Sequence, residues 1–404
     1  MKFDVAIVGA GPAGSSAAIK LAQSGLKVTV IDRASFPRDK ICGDALSVDV
    51  VNQLAMLSPE LAVEFEKFSE KTPAHGVSIY APNGTPINIP FVNKNVNKCG
   101  YIIPRKKFDH LLFQHLKTFQ NIKCIENQKI SKFSRTESGI EIVGKDFSLQ
   151  CQLVIGADGA YSTVNKKLGE ISVDKDHHSA GLRMYYKNVT GFNEGNYIEL
   201  YFFNDILPGY LWVFPLSDHR ANVGIGMLSS AVDSKRVNLR ATLRTLLDSH
   251  PLLKHRFKEA IPLENVKGFG LPLGSKQRSI SGDRFLLTGD AAGLIDPFSG
   301  EGIANAIRSG RVAAEHVITC FDAHDFLAQY NKFYDREIYR RMGKEFRISR
   351  SLQNLCKYPK LFNFLATKSN QSTYLTDLLT QALAEIDVKK VLIRPGFYLR
   401  LLFR

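Results

Sequence analysis

The stretch that most restricts the fold is FDVAIVGAGPAGSSAAIKLAQSGLKVTVIDR, Phe3 to Arg33. Val5 to Val8 is an unbroken apolar run, the pattern of a strand buried on both faces. Gly9, Gly11 and Gly14 follow at the spacing GxGxxG. Small residues, Ser15 to Ala18, then lead into a helix whose apolar stripe includes Ile19, Leu21 and Ala22, and Gly25 ends it. KVTVID gives a second strand closed by Asp32. Gly9 permits a tight turn, Gly11 lets the backbone approach a pyrophosphate, and Gly14 lets helix pack closely on strand. The helix N-terminus offers unpaired N–H groups and the positive end of a dipole to phosphates. Asp32 suits the hydroxyls of a ribose. The motif alone does not separate FAD from NAD.

A chain of 404 residues is too long for one simple core and implies two lobes or a domain with a large insertion. Its six cysteines, Cys42, Cys99, Cys124, Cys151, Cys320 and Cys356, form no CxxC pair and have no histidine at metal spacing. They read as the reduced thiols of a cytoplasmic protein, and no metal site is expected. HExxH and GxSxG are absent, which removes zinc-hydrolase and nucleophile-elbow chemistry. MKFDVAIVGAG does not read as a signal peptide, because Asp4 precedes its apolar run and glycines break it. No stretch reaches the ~18 apolar residues of a membrane span. The formal charge of +14 points to an anionic partner: nucleic acid, membrane surface or acidic ligand.

Two later stretches repeat the strand-then-glycine pattern. QLVIGADGAYSTVNKKLG, Gln152 to Gly169, runs from an apolar strand into a Gly-Ala-Asp-Gly turn. DRFLLTGDAAGLIDPFSGEGIANAIRSGRVAAE, Asp283 to Glu315, has a strand at Phe285 to Leu287, a turn at Gly289-Asp290, and a helix starting near Gly302. That helix start, beside Gly300, is expected to aim N–H groups at an electron-rich ring carbonyl.

GxGxxG with its acid, then GADGxxSxV, then GDAAGxxxPxxGEGI, resembles the FAD-dependent oxidoreductases of the hydroxylase-type fold. PRDKICG, PRKKFDHLL and YLWVFPLSDHRANVGIGM narrow the resemblance to the geranylgeranyl reductase family, across roughly residues 1 to 315. The resemblance implies an α/β (α+β overall) fold: a Rossmann-like FAD-binding domain, an inserted antiparallel-sheet substrate domain and a helical C-terminal region. It implies a discontinuous FAD lobe of residues 1–70, 101–176 and 270–320, and a substrate lobe of 71–100 and 177–269. Gly9, Gly11, Pro12, Ala13, Gly14, Asp32 and Arg33 would hold the adenosine diphosphate half. Lys40, Cys42, Gly43, Arg105, Asp158, Asp290, Gly300, Gly302 and Ile303 would line the rest of the cofactor. Gly43 is expected to clear space for the ring, Arg38 and Lys40 to face phosphate or reduced-flavin charge. Asn165 stands where many relatives carry arginine, which puts any nicotinamide contact there in doubt. No second GxGxxG unit is present, so the electron donor is NAD(P)H in a transient pose or a small electron carrier.

The strands bearing Tyr201, Phe202, Phe203, Tyr210, Trp212 and Phe214 are candidates to wall an apolar cavity. Core packing accounts equally for most of them. Tyr210, Trp212 and Phe214, which lie in the family's YxWxFP element, are the expected substrate-binding residues. The expected reaction reduces carbon–carbon double bonds of an isoprenoid chain, on an apolar isoprenoid or quinone substrate. Cys42 is the candidate proton donor, since an ordinary thiol is protonated near neutral pH. The alternative is an aromatic monooxygenase or halogenase of the same fold. A halogenase needs a lysine between flavin and substrate; Lys71, in SEKTPAHG, reads instead as a solvated loop residue. From Asn331 to Arg404 there are 15 lysines and arginines against 6 acids. This basic helical region, 321–404, ends in VLIRPGFYLRLLFR with Arg394, Arg400 and Arg404. Packed on the FAD lobe it is a solvated basic face. The functional alternative docks an anionic membrane, peripherally at its inner face. No nucleic acid is expected, because no recognition motif accompanies the charge.

Overall fold

A computed structural model of the chain describes residues 1–91 and 99–371. Five parallel strands form the centre of its first sheet, in the order Phe285–Leu287, Ser148–Gly156, Lys2–Val8, Val28–Ile31 and Ile122–Ile125. Val5, Ala6 and Ile7 are fully buried, as their unbroken apolar run requires. Antiparallel strands Gly139–Gly144 and Ile130–Thr136 extend this sheet, and the short Ser281–Gly282 strand closes one edge.

Helix Pro12–Ala22 packs along helix Ile303–Ala323. Two glycines permit that closeness. A Cβ on Gly14 would lie 1.8 Å from the Gly9 carbonyl oxygen, and one on Gly310 would lie 2.1 Å from that of Ala13. Helix and strand, and helix and helix, therefore touch through backbone.

The second sheet runs Ile261–Pro262, His178–Lys187, Arg220–Leu228, Tyr210–Leu216, Ile198–Tyr201, Gly76–Tyr80, Pro86–Pro90, with Lys267–Pro272 also paired to His178–Lys187. Only the Ile198–Tyr201 and Gly76–Tyr80 pair is parallel. Helix Leu239–Ser249 buries Leu239, Leu243, Leu246 and Leu247, one helical stripe, in the same core as Leu211, Val213, Val223 and Ile225. A small sheet of Ala45–Leu46, Gly100–Ile102 and Thr72–Ala74 lies beside these two.

From residue 328 to 371 the chain forms two helices, Ala328–Leu355 and Pro359–Gln371. The first of these buries Tyr334, Ile338, Met342 and Phe346 at four-residue spacing against the first sheet's core. The Tyr334 hydroxyl donates to the Leu287 carbonyl at 2.7 Å. The terminal VLIRPGFYLRLLFR lies outside the described residues. No helix among the described residues is long and apolar enough to cross a membrane.

In an open helix, glycine to alanine gains about 1 kcal/mol of helix propensity. At Gly310 the Ala13 backbone forbids it, so Gly310→Ala should instead lose about 1–3 kcal/mol in urea unfolding. A variant as stable as wild type would contradict this packing.

Candidate active site

The nucleotide turn is built from backbone constraints. Gly9 has φ +99°, and a Cβ there would meet the Ala157 carbonyl oxygen at 2.4 Å. The following helix begins at Gly11 with no side-chain cap, so its first N–H groups stay available. Asp32 accepts from the amides of Ala10 and Ala34, both at 2.8 Å, and so fixes the turn to the end of the second strand. Arg33 is exposed at the rim of the same cavity.

Asp158 accepts from the Thr163 and Val164 amides at 2.6 and 3.3 Å and from the Ser162 hydroxyl. It caps a helix, and burial still pushes its carboxyl up against those donors. Asn165 bonds Ile171 in both directions, at 2.8 and 3.0 Å, and closes its own loop.

Behind Arg38 and Arg105, Asp109 is completely buried. It takes Arg105 through Nε at 2.6 Å and Nη2 at 2.7 Å, and Arg38 through Nη1 at 2.7 Å. Burial alone would raise this carboxyl, but the two guanidinium groups outweigh it and hold it below the ordinary range. The Arg105 guanidinium also reaches the Cys42 thiol; burial opposes its charge, while Asp109 and Cys42 favour it. Lys40 Nζ stands 3.5 Å from Asp290 and 4.1 Å from the centre of the Phe269 ring.

Gly300 has φ +73°, and a Cβ there would crowd the Tyr210 hydroxyl, which donates to the Ser299 carbonyl at 2.7 Å. Gly302 is the N-cap of helix Ile303–Ala323. The N–H groups expected to face a ring carbonyl are engaged otherwise. Those of Ile303 and Ala304 donate to the Glu301 carboxylate at 2.8 and 3.0 Å. Burial raises the Glu301 carboxyl.

Gly43 has a packing reason to be small: a Cβ there would lie 2.6 Å from the Phe214 ring of the aromatic wall. Next to it, Asp44 is fully buried with φ +69°. It accepts from Asn222 Nδ2 at 2.8 Å, the Arg105 amide at 3.2 Å and the Tyr185 hydroxyl. Desolvation outweighs these donors and lifts its carboxyl to about 6.

Gly9, Gly11, Asp32, Arg38, Lys40, Cys42, Gly43, Asp44, Arg105, Asp158, Asp290 and Gly300 to Ile303 line one cavity of about 1320 Å³, while Asp109 and Asn222 support it from behind. One end is Asp32, Arg33 and Gln128; the other is apolar, with Val77, Ile79, Ile198, Leu200 and Phe298. Tyr210, Trp212 and Phe214 line it together, as the two-residue period of a strand dictates. Tyr201 and Phe203 do not. They stack with each other in the core under helix Leu239–Ser249. Phe202 packs between Phe298 and Phe362. Lys71 is not a solvated loop residue: its ammonium donates to the carbonyls of Phe65, Glu66 and Phe68 and caps helix Pro59–Lys67.

Asp44, Asp109, Asn222 and Glu301 escaped the sequence reading. Asn222 and Glu301 lie inside quoted motifs, NVGIG and GEGI, where a polar residue in an apolar or glycine-rich run was the available signal.

A family model described as FAD binding domain matches residues 2–330. A digeranylgeranylglycerophospholipid reductase of Thermoplasma acidophilum is 30% identical over 353 residues, 85% of each chain. The chain belongs to the geranylgeranyl reductase family of FAD-dependent oxidoreductases. Over 403 residues it is 28% identical to the reductase of that name from Methanococcus vannielii, covering 97% of this chain and 94% of the other. A menaquinone reductase of Mycolicibacterium smegmatis is 28% identical over 397 residues, 95% and 92% of the two chains. The solved geranylgeranyl bacteriochlorophyll reductase-like protein of Thermoplasma acidophilum superposes with a TM-score of 0.81 at 25% identity, over 97% of this chain and 98% of that one. The halogenase PltM shares the fold alone, with a TM-score of 0.74 at 19% identity over 96% and 85%. The residues present fit FAD. The uncapped helix start at Gly11, the acid after the second strand and a single cavity running on past Asp290 to Gly302 match its pyrophosphate, ribose and ring in order.

Because Asp44 ionises less readily when folded, the unfolded chain loses this proton first as pH rises. Stability contributed by the protonated group is full below the ordinary value of 3.8 and is lost by about pH 6. The loss is up to about 3 kcal/mol over that window. Urea midpoints of wild type and Asp44→Asn, compared between pH 4 and pH 7, should shift in the variant's favour as pH rises. A difference independent of pH would contradict the assignment.

Proposed function

We propose that this reductase saturates carbon–carbon double bonds of an isoprenoid chain, geranylgeranyl or polyprenyl, carried on a lipid or a quinone. One observation carries the reading: the Cys42 thiol and the apolar wall of Val77, Ile79, Ile198 and Leu200 share a single cavity with the nucleotide turn. Residues 1–70, 101–176 and 270–320 would form the cofactor lobe, and 71–100 with 177–269 the substrate lobe. When bound, FAD supplies the hydride. Gly9 to Gly14, Asp32 and Arg33 would hold its adenosine diphosphate half, with Lys40, Gly43, Arg105, Asp158, Asp290, Gly300, Gly302 and Ile303 along the remainder. Tyr210, Trp212 and Phe214 would lie against the chain being reduced and keep water from it. An alkene carbon that accepts a hydride equivalent needs a proton on its neighbour. Cys42 would deliver it from Sγ, and the thiolate left behind would face the fixed positive charge of Arg105. NAD(P)H or a small electron carrier is the proposed source of reducing equivalents.

The substrate is water-insoluble, and we propose that the protein meets it at an anionic membrane surface on the cytoplasmic side. Helix Pro359–Gln371 and the turn before it support this. Tyr358, Leu361 and Phe364 are exposed there among Lys357, Lys360 and Lys368, and no acid occurs between Glu345 and Gln371.

Anaerobic, chemically reduced enzyme mixed with geranylgeranyl lipids and polyprenyl quinones should reoxidise in a substrate-dependent manner and yield product with two added hydrogens per bond. Absence of reoxidation across the panel would sink the reading. Cys42→Ser should keep its FAD and slow this reaction about 100-fold; full turnover would return Cys42 to a packing role.

A further inference from the structure

Asn222 sits completely buried on strand Arg220–Leu228 of the second sheet. A carboxamide has two N–H bonds and one oxygen to satisfy. Here the two N–H bonds go to the Cys42 carbonyl and the Asp44 carboxylate, both at 2.8 Å. The oxygen accepts from the Trp212 indole at 3.0 Å. All three partners line the cavity, whereas Asn222 itself does not. Two of them belong to a stretch, residues 32–44, that contains no regular element. The third belongs to the substrate-facing strand Tyr210–Leu216.

We infer that Asn222 is the positioning residue of the site, joining Cys42, Asp44 and Trp212 into one clamp that fixes the thiol relative to the aromatic wall. The inference rests on the proposed role of Cys42 as proton donor. It gives the clamp a purpose, because a general acid must be held within hydrogen-bond reach of the carbon it protonates. Gly43, between the two clamped loop residues, lets the loop lie flat on Phe214. Asp44 adopts the left-handed backbone that aspartate and asparagine tolerate better than other side chains, and its carboxylate is the acceptor that anchors Asn222. The charged and titratable groups facing Asp44 come from one strand. Strand His178–Lys187 contributes Tyr185 and Arg183, whose guanidinium lies 4.3 Å from the Tyr185 ring centre. Helix Arg105–Leu116 adds only a backbone donor, the Arg105 amide. Arg183 is itself occupied by Asp39 at 2.9 Å and by Glu264.

Asn222→Asp is the discriminating variant, because it conserves volume but opposes a carboxylate to both the Asp44 carboxylate and the Cys42 carbonyl. A merely structural Asn222 would lower stability on this change but leave the reactivity of the Cys42 thiol in the folded protein unaltered. Three readouts on the FAD-loaded protein test the clamp. Trp212 is the sole tryptophan, so tryptophan-selective excitation, read in the indole emission band, reports on this one side chain. In wild type it should titrate near pH 6 as Asp44 protonates, and that titration should vanish in Asp44→Asn, which suits the same backbone. Alkylation of Cys42 by iodoacetamide, followed on its peptide by mass spectrometry, should change at least about fivefold in Asn222→Asp. Turnover of an isoprenoid substrate should lose at least about tenfold in kcat with KM within about threefold, since ground-state contacts remain. Tyr185→Phe, which removes one hydroxyl from the cluster, should give smaller shifts in the same direction and guards against a misfolded Asn222→Asp. The inference is overturned if alkylation of Cys42 in Asn222→Asp stays within about twofold of wild type, or if kcat is unchanged. If wild type reduces no isoprenoid at all, the proposed function fails, while emission and alkylation still decide the clamp.

Discussion

Two arginines share one buried carboxylate, Asp109. A lone charge there would be intolerable, and a lone guanidinium at Arg105 equally so. Together they leave a fixed net positive charge beside Cys42. That charge cannot titrate away near neutral pH, because arginine stays protonated. The chemistry proposed for the site, with a thiolate formed after proton delivery, depends on such a counter-charge being present before the reaction begins.

The same loop is held from its other side by the second sheet. Arg183 takes Asp39, and Asn222 takes Cys42 and Asp44. A segment without regular structure is thereby fixed between the first sheet's side of the cavity and the second sheet. This explains why so many polar groups are buried beside a cavity with an apolar wall. They bind the loop to the sheet, and the far end of the cavity keeps its aliphatic lining.

How much of this could be read from the sequence follows from where the constraint lies. The nucleotide turn was legible because Gly9, Gly14 and Asp32 are constrained by backbone within a few residues or one strand. The parallel sheet was legible because both of its faces are buried. The orientation of aromatics was half legible: strand alternation brings Tyr210, Trp212 and Phe214 to one face, but which face meets the cavity depends on the helix Leu239–Ser249 covering the other. Asp44 and Asn222 were not legible, because they are 178 positions apart and only the fold brings them to 2.8 Å. Lys71 was misread for a similar reason, since a lysine in a polar loop looks solvated until the helix end it caps is in place. Glu301 shows the limit of a helix-dipole argument, for a carboxylate two residues before the helix satisfies its first N–H groups from within the chain.

Saturation of isoprenoid chains by this FAD-dependent reductase would be read out by mass spectrometry of the isoprenoid lipids and quinones of a host with and without this chain. Expression should convert unsaturated species to products gaining two hydrogens per reduced bond, and Cys42→Ser should largely abolish the conversion. Identical saturation profiles with and without a folded, FAD-loaded protein would contradict it.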